Sequence, residues 1–105
     1  MSLTIECTEI EGKRLITVKG EVDLSTSPDL RRSVLEAINS GHKTVGVDLS
    51  QVKYMDSSGV ATLIEGLRAA GRSKAKYIVV APSKPVQDVF HLTKLDTVFD
   101  IRDAL

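Results

Sequence analysis

Residues 56–59 read Asp-Ser-Ser-Gly, a carboxylate and two adjacent hydroxyls set between the apolar runs "VKYM" and "VATLIEGL". Serine hydroxyls serve chemistry in two ways: as a nucleophile activated by a base, or as an acceptor of phosphate from another enzyme. A nucleophile needs a general base within hydrogen-bond reach. The two histidines are His42, in a helix-exit loop, and His91, late in a helix. Neither adjoins the Asp-Ser-Ser-Gly segment, no Gly-x-Ser-x-Gly elbow is present, and two scattered imidazoles make no metal site. No catalytic residue, metal or cofactor is expected. A phosphate acceptor asks for less: an exposed hydroxyl in a setting that tolerates added charge.

The elements around residues 56–59 supply such a setting. Val60, Leu63, Ile64 and Leu67 fall at i, i+3, i+4 and i+7, a helix burying one face, and the segment before them is an apolar strand. In open parallel α/β sheets, the edge where strands give way to helices is where binding collects. Asp56 or Ser57 as helix N-cap, with Gly59 easing the turn, explains one of the polar groups. It leaves a second hydroxyl over. Projected at ~100° per residue, Ser58 lies opposite the apolar stripe, facing solvent, and Ser57 lies on its flank. A phosphate on either would sit at the positive end of the helix, where about two added negative charges are tolerated.

Element order along the chain fixes the class. Leu3, Ile5 and Cys7 alternate with polar residues, so Cys7 reads as a small core residue on a strand. A turn at Glu11-Gly12-Lys13 joins that strand to "RLITVKG" as a hairpin. "STSPDLRRSVLEAINSG" is a helix capped by Ser27, with Pro28 in its first turn and Gly41 at its end; its charges form a solvated face. "TVGVDLS" is a strand, with Asp48 a polar residue at its end. Gly71 ends the second helix. "KYIVVA" reads as a strand covered on both sides, "PSKPVQDVFHL" as a third helix, "DTVFD" as a short strand and "IRDAL" as a short terminal helix. Strands alternating with helices imply an α/β class with a mostly parallel sheet of four to five strands, one antiparallel N-terminal strand and about four helices.

The 105 residues suit one domain, 1–105, with 42% hydrophobic and 27% charged residues. Lys+Arg and Asp+Glu are both 14, and only four residues are aromatic, two Tyr and two Phe, so neither nucleic acid nor an anionic membrane is an expected partner. One cysteine points to a reducing, cytoplasmic setting, and no apolar run nears the ~20 residues needed to cross a bilayer.

"VDLSQVKYMDSSGVATLIEGL" and "VKGEVDLSTSPDLRRSV" together resemble the anti-sigma factor antagonist family, the STAS domains, over essentially the whole chain. The resemblance implies that the serine following the aspartate, Ser57, is phosphorylated, with Ser58 the second choice. The kinase implied is a GHKL-type serine kinase that is also an anti-sigma factor, and a PP2C-like phosphatase would reverse the step. It implies a docking surface of Asp23, Ser25, Thr26, Asp56, Ser57, Ser58, Gly59, Val60 and Ala61. Val60 and Ala61 depart from the leucine and second glycine of many relatives, and Ala61 adds a methyl group on the exposed side of the helix start. The implied protein is a monomer or weak dimer that frees a sigma factor when unphosphorylated. A rival reading is a non-phosphorylated STAS subunit regulating a transporter or lipid-transport ATPase assembly. A receiver domain, phosphorylated on Asp48, would draw on Glu21, Asp23 and Lys84, but Lys84 lies beyond a proline with no clear role.

Overall fold

The structure, a computed structural model, describes residues 2–105. Among them are β1 (Leu3–Ile10), β2 (Lys13–Val22), α1 (Ser27–Asn39), β3 (Thr44–Met55), α2 (Ser57–Ser73), β4 (Lys76–Val80), α3 (Lys84–Leu92) and β5 (Asp100–Arg102). The five strands form one sheet in the order β1-β2-β3-β4-β5, with β1 antiparallel to β2 and the other pairs parallel. Glu11 and Gly12, at φ +54° and +80°, make the tight β1–β2 turn whose twist matches that of the strands.

Sequential strand order with right-handed crossovers puts every helix on the same face. The side chains agree. Ile16, Val18, Val45, Val47, Leu49, Tyr77 and Val79 share one core with Leu30 and Val34 of α1, Leu63 of α2, and Val86 and Phe90 of α3. The sheet is therefore covered by helices on one side only, and β4 is not a strand between two helical layers. Ile78 and Val80 are buried all the same. Gly46, on their face, has Leu15, Val80 and Leu105 as its nearest neighbours, so Leu105 folds over this face where a helix would otherwise lie.

Several expected boundaries move. The residues expected as a terminal helix, "IRDAL", begin instead with the end of β5, which pairs with β4; three helices remain among the described residues. Residues 96–99, expected at the start of the last strand, are a turn with Phe99 plugged into the core. Gly71 lies inside α2, which runs on to Lys74 in the left-handed conformation at φ +57°. Cys7 is exposed: its strand is the sheet edge, and although it pairs with the buried Ile16, no residue of β1 is itself buried. Asp48 lies well inside β3, where its carboxylate accepts from Ser50 N at 2.9 Å. That bond sits beside the first of two register shifts that insert extra residues into β3 against β2. The bulges carry the inward phase from Val47 and Leu49 to Val52 and Met55 and so aim the strand's end.

Candidate functional site

β2 and β3 lie side by side, and their last paired residues are Glu21 with Tyr54 and Val22 with Met55. Each strand then feeds a helix, through residues 23–26 into α1 and through Asp56 directly into α2. Asp56 N donates to Val22 O at 3.1 Å, which stitches the two turns together. The register thus brings Asp23, Ser25 and Thr26 to the same edge as residues 56–59.

Asp56 is the N-cap of α2. It is extended, at φ −105° and ψ −170°, and its Oδ1 accepts both the Ser58 N–H, at 2.9 Å, and the Ser58 hydroxyl. Its carbonyl accepts from Gly59 N and Val60 N. Ser58 is therefore half-buried with its hydroxyl engaged, and Ser57, the first helical residue, stands exposed outside this network. The helical projection had these two reversed.

Glycine explains the reversal. The buried residues of α2 are Gly59, Val60, Thr62, Leu63, Gly66, Ala69 and Ala70, and Ile64 and Leu67 are only partly buried. A face drawn through the large apolar residues alone is rotated by about 90° from the one that packs, at ~100° per residue. The helix packs most closely at Gly59 and Gly66. A Cβ on Gly59 would come within 2.7 Å of Met55 Cγ and 2.8 Å of Val22 Cγ1, and one on Gly66 within 2.5 Å of Tyr77 Oη. Gly59 and Val60 accordingly point into the core and shape the surface from beneath, while Ala61 is exposed beside Ser57.

Asp23 plays on β2 the part Asp56 plays on β3. Its Oδ1 accepts Ser25 N at 2.9 Å, Ser25 Oγ at 2.7 Å and Thr26 N at 3.0 Å, with Thr26 Oγ1 at 3.2 Å. The hydrogen bond from the Ser25 hydroxyl, aided by the Thr26 and Ser25 N–H groups, holds the Asp23 carboxyl below its ordinary pKa. Thr26, not Ser27, is the N-cap of α1, but its side chain does not cap. The Thr26 hydroxyl is buried, accepting from Asp23 N at 2.9 Å and donating to Glu21 O at 2.8 Å. Ser25 is the exposed hydroxyl of this loop.

Sequence reasoning missed the link between the two helices. Arg31, read as part of a solvated face, grips Glu65 of α2 with two nitrogens, Nε at 2.8 and 3.0 Å and Nη2 at 2.8 Å. This pairing lowers the Glu65 pKa and raises that of Arg31. No local pattern announces a pair 34 residues apart. The remaining polar groups of interest lie elsewhere. Lys84 pairs with Asp88, His91 with Asp96, and His42 is held between Ser40 Oγ and Glu9 Oε1 at 2.6 Å each rather than standing in solvent.

The STAS domain family model matches residues 4–105. The chain belongs to the STAS domain family. The anti-sigma-B factor antagonist of Staphylococcus aureus is 26% identical over 104 residues, covering 99% of this chain and 96% of the relative. A crystal structure of an anti-sigma factor antagonist from Mycobacterium paratuberculosis superposes with a TM-score of 0.89 at 27% identity, over 99% of this chain and 88% of that one. The Bacillus cell fate determinant SpoIIAA in its phosphorylated form shares the STAS fold, with a TM-score of 0.71 at 23% identity over 95% of this chain and 90% of that one. No helix among the described residues is long and apolar enough to cross a membrane.

Proposed function

We propose that this STAS domain is an anti-sigma factor antagonist worked by phosphorylation of Ser57. Unphosphorylated, it docks through the Asp23–Thr26 loop and the start of α2 on a GHKL-type serine kinase that is also an anti-sigma factor, and thereby frees a sigma factor in the cytoplasm. The kinase brings the ATP, and this chain contributes the acceptor. Phosphorylated, it releases, until a PP2C-like phosphatase removes the group. One observation carries the reading: of two adjacent hydroxyls at the start of α2, Asp56 ties up Ser58 and leaves Ser57 exposed. A kinase reaching this helix from solvent meets one available oxygen. The names of the relatives supply the class of partner.

The test is incubation with the anti-sigma kinase of the protein's own host and ATP, followed by intact mass and peptide mapping. One phosphate on Ser57 is expected, abolished by Ser57→Ala and retained in Ser58→Ala. A phosphate mapped to Ser58 would overturn the assignment.

A further inference from the structure

Two leucines stand almost wholly in solvent, Leu24 at 80% and Leu92 at 84% exposure. An isolated exposed leucine is ordinary on a protein surface. Leu92, the last residue of α3, is of that kind. Leu24 is placed differently. It lies between Asp23 and Ser25, in the loop stitched to the start of α2 by the Asp56 N to Val22 O bond. The Asp23 carboxylate bonds to the backbone on its far side, at Ser25 N and Thr26 N, so the chain carrying Leu24 is already fixed with the side chain outward. A partner that buries it loses little entropy in ordering that loop. The acids nearest Leu24 are mostly unneutralised: Glu21, Asp23 and Asp56 form no ion pair among the described residues, whereas Asp29 is paired with Arg32 at 3.1 Å.

We propose that Leu24 is the apolar anchor of the docking surface, seated by the partner kinase in an apolar pocket rimmed with Lys or Arg side chains. The inference rests on the docking reading above. It goes further by separating the residue that supplies affinity, Leu24, from the one that switches it, Ser57, and by stating the chemistry of the receiving surface. Central apolar anchors surrounded by polar, complementary rims carry much of the affinity at protein–protein interfaces.

The experiment measures initial rates of Ser57 phosphorylation by the purified anti-sigma kinase of the host, with ATP, against domain concentration. Leu24→Ala is expected to raise KM by roughly 10- to 100-fold, the loss of a buried leucine side chain, with kcat and melting temperature unchanged. Leu24→Met is expected to restore most of the affinity, and Leu92→Ala to behave as wild type. Raising the ionic strength is expected to raise KM for wild type and Leu24→Ala by the same factor, because the rim acts independently of the anchor. A KM for Leu24→Ala within about twofold of wild type, or a fall in kcat with KM unchanged, overturns the anchor and leaves the docking reading standing. Failure of the kinase to phosphorylate the wild-type domain at all overturns both.

Discussion

Phosphorylation of Ser57 should change what the domain binds while hardly changing the domain. Ser57 is exposed at the first helical position of α2, directly after Asp56. Two terms act on a phosphate there. The helix terminus attracts it, by roughly 0.3–1 kcal/mol at an exposed site. The Asp56 carboxylate repels it: about two charges at roughly 5 Å in a solvent-like medium come to ~1.5 kcal/mol before salt screening, and about half of that after. The sum lies within about 1 kcal/mol of zero, which for a domain of this size is a melting-temperature shift of about 5 °C or less. No core contact is touched, since Gly59, Val60 and Leu63 face the sheet on the other side of the helix. At the partner the same group must be desolvated in a contact formed around a neutral hydroxyl, a cost of several kcal/mol. Binding to the anti-sigma kinase should therefore weaken by about a hundredfold or more. Calorimetric binding and thermal melting of the singly phosphorylated domain measure both quantities, and Ser57→Asp should reproduce only part of the binding loss, having less charge and fewer acceptor oxygens. A melting shift well beyond about 5 °C, or amide shifts spread across the whole sheet, would refute the local mechanism and require a conformational one.

Other outcomes follow from the packing of the same helix. Asp56→Ala removes the N-cap of α2 and should cost about 1 kcal/mol in chemical denaturation; it should also free the Ser58 hydroxyl, so that some phosphate appears on Ser58 in peptide maps. Gly66→Ala should destabilise by about 1–3 kcal/mol despite alanine's better helix propensity, because its Cβ would meet Tyr77 Oη and Val34 Cγ1. Tyr77→Phe should be stabilising by about 1 kcal/mol, since the Tyr77 hydroxyl is buried without a partner among the described residues, and desolvation pushes its pKa up. Combined with Gly66→Ala, Tyr77→Phe should recover part of the loss, a non-additivity visible in a double-mutant cycle. Asp23 is held below its ordinary pKa, so its contribution is complete above the usual carboxylate range and is lost as pH falls through the lowered value. Asp23→Asn should flatten the acid limb of the stability curve, and an unchanged limb would show that the loop bonds add nothing.

The sequence by itself determined the class of fold, most of the element order and the place of the Asp-Ser-Ser-Gly segment between a strand and a helix. Alternating periods, glycine turns and the Asp-Ser-Ser-Gly segment are local properties, written within a few residues of where they act. The hairpin, the parallel units and the capping aspartate are all of this kind. Tertiary structure alone decided which serine faces solvent, because the orientation of α2 is set by how closely Gly59 and Gly66 let it approach Val22, Met55, Val34 and Tyr77. Hydrophobicity assigns glycine no side, although close packing makes Gly59 and Gly66 inward residues of the helix. The same holds for the one-sided helical layer, where Leu105 rather than a helix covers Gly46, and for the exposure of Cys7, which lies on an edge strand with no buried residue. It holds too for the Arg31–Glu65 pair, which exists because two helices lie side by side. Contacts between residues distant in the chain depend on packing distances and the reach of neighbouring elements, and no window of sequence contains those.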